Sequence, residues 1–189
     1  MRASSFRDRG APLLGLALLL GCASSRTDLG DAPGWYSKPP RAEDHLYAAA
    51  TATSRDMQMA IDKARTQAQT GLAGQLETRL GNLTKQFAEE VGSGEGSELL
   101  EQFTSATKAV IDQTLNGAQI DKQKHVQEGP GYRAYVLMTL PVGAANQALM
   151  ERIRANQNLY TRFQASQAFE ELNKELEAYK AEQSAPAHH

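Results

Sequence analysis

Leu46 to Leu80 reads LYAAATATSRDMQMAIDKARTQAQTGLAGQLETRL, and two periodicities meet inside it. Leu46 to Thr53 alternates small residues with threonine and lacks helical spacing, which predicts a short strand whose faces lie close to something else. Ser54 offers a side-chain oxygen as an N-cap. From Met57 onward apolar residues recur in steps of three or four, at Ile61, Ala64, Ala68, Leu72, Leu76, Leu80, Leu83, Phe87 and Val91. The pattern predicts a helix of up to about 37 residues, roughly 55 Å if unbroken. Its first half is smooth, with Ala60, Ala64, Ala68, Gly71 and Gly74. A helical glycine costs about 1 kcal/mol relative to alanine, so Gly71 and Gly74 predict close approach of another backbone, the sheet. Gly81 marks a candidate bend.

Toward the carboxyl end, Gly92 to Gly96 is a glycine-rich break that does not follow a strand and lacks the Rossmann and Walker spacings, so it is not a phosphate cradle. Ser97 is the expected cap of a second helix carrying Leu99, Leu100, Phe103, Ala106, Val110, Ile111 and Leu115 and ending near Asn116-Gly117. Ala118 to Gln127 predicts a strand with Ile120 and Val126 on one face and Lys122 and Lys124 beside them. The turn residues Glu128 to Gly131 then lead into Tyr132 to Leu140, YRAYVLMTL, and the two strands form a hairpin. Pro141 ends the second strand. A polar helix is expected from Gly143 to Glu182, about 40 residues and roughly 60 Å, long enough for part of it to project. Its last seam, Phe169, Leu172, Leu176 and Tyr179, has 3-4-3 spacing and is flanked by Glu170, Glu171, Lys174, Glu175, Glu177 and Lys180. That grammar serves packing on the chain's own first helix, self-association or a partner helix.

The amino end has a different chemistry. Arg2, Arg7 and Arg9 precede the apolar run LLGLALLL, Leu13 to Leu20, which spans roughly 12 Å as a helix against the roughly 30 Å of a bilayer core. It reads as an export signal and not as a membrane span. Leu19-Leu20-Gly21-Cys22 closes the run and resembles the bacterial lipobox, in which Leu19, Leu20 and Gly21 would guide the signal peptidase and Cys22 would become the lipidated first residue. Cleavage there removes three arginines and one aspartate, so the net charge moves from −2 to −4. A mildly acidic body has no electrostatic hold on anionic lipid, and attachment would rest on the diacylglyceryl and N-acyl chains at about 0.8 kcal/mol per buried methylene. Ala23, in place of an aspartate after the cysteine, implies the periplasmic face of a bacterial outer membrane, or the cell membrane in a Gram-positive organism. Residues 22–45 form the expected tether, with Pro33, Pro39 and Pro40 barring helix. Within it Trp35 and Tyr36 are candidates for packing back on the domain, for the lipid headgroup boundary or for a partner contact.

The 189 residues carry 20 basic and 22 acidic side chains, which excludes a broad basic field for nucleic acid. One cysteine excludes an intrachain disulfide and a thiolate zinc cluster. His45, His125, His188 and His189 lack metal-ligand spacing, and no Gly-x-Ser-x-Gly elbow occurs, so neither a metal cofactor nor catalytic residues are expected. Glu89-Glu90 and Glu170-Glu171 read as solvated helix faces. Lys122, Lys124 and His125, with Tyr132 and Tyr135 across the hairpin, form a candidate basic strip for an acidic polymer, or an ordinary exposed strand face.

The order lipobox, Pro33-Gly-Trp-Tyr36, LYAAATA, DMQMAIDKARTQAQTGLAGQL and YRAYVLMTLP resembles the twenty-kilodalton (Lpp-twenty) bacterial lipoprotein family, whose relatives include outer-membrane flagellar assembly lipoproteins. The resemblance covers about residues 33–142 and is most specific from Trp35 to Leu76. It implies an α+β fold, a three-stranded antiparallel sheet packed by a long alanine-rich helix, here with an additional helix and a long C-terminal helix, and it implies no enzymatic activity. The expected organisation is a signal peptide over 1–21, a lipidated tether over 22–45, the α+β domain over 46–142, the C-terminal helix over 143–183 and a tail over 184–189. The expected role is that of a lipid-anchored envelope protein that is not an enzyme and meets other envelope proteins or itself. The alternatives are a periplasmic lipoprotein holding a lipid or hydrophobic peptide between helix and sheet, and a cell-wall-associated regulator or enzyme.

Overall fold

β1 (His45–Ser54) and β3 (Gly131–Pro141) pair antiparallel in one unbroken register from His45 opposite Pro141 to Ser54 opposite Tyr132. β2 (Gln119–Glu128) pairs antiparallel on the other side of β3, giving a three-stranded sheet of order β1-β3-β2 within an α+β fold. The structure, a computed structural model, describes residues 32–92 and 96–184. Gly129 and Pro130 make the β2–β3 turn. Gly129 has φ +57, and the proline that follows is fixed at negative φ, the pattern of a II′ turn that suits the sheet's twist.

Residues directly opposite in an antiparallel pair share a face. One face therefore carries Leu46, Ala48, Ala50 and Ala52 with Ala134, Val136, Met138 and Leu140, and it joins the core. A shift of register between Ile120 and Lys122 alters β2. Six residues apart, Ile120 and Val126 would share a face in a regular strand. The bulge instead sets Ile120 opposite Met138 and Val126 opposite Arg133, on opposite faces. The same alternation divides the expected basic strip. Lys122 and Lys124 lie opposite Leu137 and Tyr135, whereas His125 lies opposite Ala134 and Tyr132 also belongs to the core side.

α2 (Met57–Val91) is one helix of 35 residues that crosses the core face of the sheet. Its cap is Asp56, two residues later than Ser54: the Asp56 carboxylate accepts from Met59 N–H at 2.8 Å, while Ser54 ends β1. Ile61, Ala64, Ala68, Leu72, Leu76, Leu80, Leu83 and Phe87 are buried, as their spacing predicts. Close approach holds at Gly71, where a Cβ would stand 3.1 Å from the Ala48 Cβ. Gly74 has open space, so the same inference fails there. The helix–sheet seam at Ala48 is thus filled by the chain's own small side chains, where the alternative reading placed an apolar ligand groove.

α3 (Gly96–Leu115) begins at Gly96, which puts Ser97 inside its first turn, and packs against α2. The expected single C-terminal helix is three: α4 (Val142–Arg154), α5 (Gln157–Phe163) and α6 (Gln167–Ser184). Asn156 caps α5 by accepting from Leu159 N–H at 3.1 Å. Ser166 Oγ accepts from Phe169 N–H at 3.2 Å, and the Glu90 carboxylate at the end of α2 accepts from Gln167 N–H at 2.9 Å. Glu90 is therefore a helix cap and not merely solvated charge, and an anion suits the positive end of α6. The two breaks fold the segment back onto the core, so it does not project. Phe87, Phe103 and Phe163, each fully buried, meet with ring centroids 4.9–5.7 Å apart and tie α2, α3 and α5 together. Phe169 adds its edge to Phe163 at 5.7 Å.

One further element precedes the sheet. α1 (Gly34–Ser37) is a single turn, although prolines at 33, 39 and 40 predict no helix. Pro33 occupies the N-cap in extended conformation, where its missing N–H leaves no bond unmade, and the other two lie beyond the turn.

Candidate functional site

Four segments converge around a groove of about 560 Å³: Glu43-Asp44 ahead of β1, the first turns of α4, one side of α6 from Glu171 to Glu182, and Arg79 from α2. Backbone bonding fixes the first two, because Val142 N–H donates to the Asp44 carbonyl at 2.8 Å where the sheet ends and α4 begins. Gly143 opens the wall of α4. The Tyr179 ring rests on it so closely that a Cβ would lie 2.0 Å from the ring, and Tyr179 also lines the groove.

Polar groups on the groove are organised about Glu175. Its Oε1 accepts from Arg79 Nη2 and its Oε2 from Asn146 Nδ2, both at 2.5 Å. Arg79 and Glu175 are each about one-third exposed (32% and 28%), so their ion pair adds little stability by itself. Asn146 is 1% exposed. Because Glu175 must receive a donor, the amide is oriented with Nδ2 toward it, and the Asn146 Oδ1 is left buried with no partner among the described residues. A buried acceptor in that condition costs about 1–3 kcal/mol unless something donates to it.

At the mouth, Asp44 Oδ2 and His45 Nδ1 stand 2.6 Å apart. Burial pushes the Asp44 carboxyl up, but the His45 hydrogen bond, a backbone hydrogen bond, the His45 charge and a bond with Glu182 outweigh it and hold the carboxyl below its ordinary 3.8. A carboxyl lowered by folding stabilises the fold above that ordinary value, and the contribution is lost as pH falls through the lowered one. With the side chain 39% exposed the effect is small. Acid titration below about pH 4 is expected to destabilise the wild type slightly more steeply than Asp44→Asn. Parallel curves followed by circular dichroism would remove that assignment.

The residues singled out from sequence fall in different places. Leu19, Leu20, Gly21 and Cys22 lie outside the described residues. Tyr36 sits on the sheet face opposite α2, its ring 5.1 Å from and edge-on to Tyr135, with Trp35 half-buried beside it in α1. Leu172 and Leu176 are buried in the chain's own core, where α6 meets α2 and α4, and Phe169 packs against that core. The 3-4-3 seam is therefore not an exposed contact surface, because the chain's own helices cover it; only Tyr179 reaches the groove. Sequence reasoning passed over Arg79, Asn146 and Asp44. One signal was present: Val142, Ala145, Asn146, Leu149, Met150 and Ile153 form one helical stripe, and an asparagine within an apolar stripe needs a partner. No protein-family model matches the chain, and no curated protein matches it.

Proposed function

We propose that this protein is a lipid-anchored bacterial envelope lipoprotein, tethered at Cys22 to the periplasmic face of the outer membrane, that works as an interaction or assembly module and not as an enzyme. One observation carries the reading: the single cysteine of the chain falls immediately after Leu19-Leu20-Gly21 at the end of an eight-residue apolar run behind an arginine-bearing leader. The resemblance to the twenty-kilodalton lipoprotein family supports a role in envelope assembly, with flagellar assembly among the systems such relatives serve.

The chemistry of the described part agrees with a binding role. Asp56, Asn156 and Ser166 serve as helix caps, and Arg79, Glu175 and Asn146 form a polar group that ties α2, α4 and α6 together. With the α6 seam covered, the contact surface moves to the groove, the charged face of α6 and the edges of the sheet, where β1 and β2 each have one side unpaired among the described residues. The test is metabolic labelling with a palmitate analogue followed by membrane fractionation. Wild type is expected to carry label and sediment with membranes, and Cys22→Ala to lose the label and most of the membrane association. Equal labelling of the two would end the lipoprotein reading. Crosslinking in intact cells tests the interaction half, which a strictly monomeric pattern would contradict.

A further inference from the structure

The two edges of the sheet are built differently. β2 carries a bulge between Ile120 and Lys122 and the charges of Asp121, Lys122 and Lys124, devices that keep an edge from pairing with another chain. β1 has none of them: from Leu46 to Thr53 it has no charge, no proline and no break in register. Val142 N–H donates to the Asp44 carbonyl in the same register, so the even-numbered residues of β1 bond to β3 and the odd-numbered ones turn their backbone groups to the open side. The Tyr47 carbonyl on that side accepts from Gln75 Nε2 at 2.9 Å. Ala49, Thr51 and Thr53 follow it with no backbone partner on that side among the described residues.

The side chains limit what can pair there. Recognition of a foreign strand takes its specificity from pockets for alternate side chains, and the small residues from Ala49 to Thr53 form none. A second copy of β1 needs no pockets. Two-fold pairing sets each residue opposite its own kind or a near neighbour, so a charge would meet a like charge, and this stretch has none. Strands pair about 4.8 Å apart and α2 lies over β1 and β3, so the copy's α2 would run roughly 10 Å from the first on the same face, the spacing of packed helices. The helix flanks thus extend an interface that a strand edge alone would leave below the roughly 800 Å² per partner of a stable pair.

We propose that β1 pairs antiparallel with β1 of a second copy of this chain, joining the two sheets into one. The register follows from the open backbone groups. Thr51 lies on the two-fold axis opposite the partner's Thr51, and Ala49 lies opposite the partner's Thr53, which leaves the bond from Gln75 to Tyr47 intact. The pairing rests on the interaction reading above, to which it gives a partner, and does not depend on lipidation at Cys22.

Sedimentation of the full-length protein in nonionic detergent tests it, together with cysteine trapping in intact cells. Wild type is expected as a dimer that dissociates on dilution. Thr51→Lys, which sets two ammonium groups at the axis, and Thr53→Pro, which removes an open-side N–H at an exposed position, are each expected to weaken the dimer at least about tenfold. Gln123→Lys on the β2 edge should leave it unchanged. Circular dichroism separates loss of pairing from loss of fold, and if Thr51→Lys unfolds, the exposed Thr53→Pro decides. Thr51→Cys is expected to give a disulfide-linked dimer, because opposite Cα atoms of a hydrogen-bonded pair lie about 5.5 Å apart, whereas Gln123→Cys and wild type, with Cys22 alone, give none. A monomer at concentrations up to about 100 µM would overturn the proposal, and so would wild-type affinity in a folded Thr53→Pro or trapping at Gln123→Cys in place of Thr51→Cys. Crosslinks in cells to other proteins, with none between copies, would overturn the pairing while the interaction reading stands.

Discussion

Phe163→Ala is expected to destabilise the domain by about 3–5 kcal/mol, the range for deleting a buried phenylalanine and leaving a cavity behind. The ring is fully buried and touches Phe87 at 5.7 Å, Phe103 at 5.3 Å and Phe169 at 5.7 Å, so its loss empties the point where α2, α3, α5 and α6 meet. For a domain of this size each kcal/mol lowers Tm by roughly 2–4 °C. Phe169→Ala, at a half-buried position on the rim of the same cluster, is expected to cost clearly less. Thermal and urea unfolding measure both. A loss under about 1 kcal/mol for Phe163→Ala would mean that the segment after Arg154 does not fold back onto the core, since a phenylalanine on a projecting helix would have little packing to lose.

Ala68→Leu tests the opposite error, too much volume. Ala60, Ala64 and Ala68 are at most 1% exposed along the half of α2 that crosses the sheet, and one turn further on Gly71 already meets Ala48. Extra methylenes there must displace either the helix or the strands, at a cost of typically 1–3 kcal/mol and occasionally more. Gln67→Leu, one residue earlier on the exposed side of the helix, adds apolar volume with room to hold it and is expected to stay within about 0.5 kcal/mol of wild type. Equal stability of the two variants would remove the close helix–sheet contact as the reason for the small residues.

The parts of the fold legible in the sequence are those where a local period coincides with burial. From Ile61 to Phe87 every residue placed on the stripe is buried, and the β2–β3 hairpin follows from Gly129-Pro130 between two strand-forming runs. The misreadings share a physical origin. Asn156 and Ser166 are good helix caps, but a cap residue is also tolerated inside a helix, and only the packing of Phe163 and Leu172 on the core decides that the chain breaks at both. One bulged residue near Asp121 reverses the facing of everything after it in β2, and periodicity does not register a single inserted residue. The bridging role of Glu90 was invisible for a related reason, because its partner amide is 77 residues away.

By itself the sequence determined the long helix and its buried stripe and the hairpin, because each is set by neighbours within a few residues. Tertiary structure alone decided that α6 faces inward, that Glu175 serves Arg79 and Asn146 at once, and that Asn146 keeps a buried oxygen with no partner among the described residues. Those outcomes depend on side chains separated by 29 to 96 positions arriving within hydrogen-bonding distance, and no local period encodes such a distance.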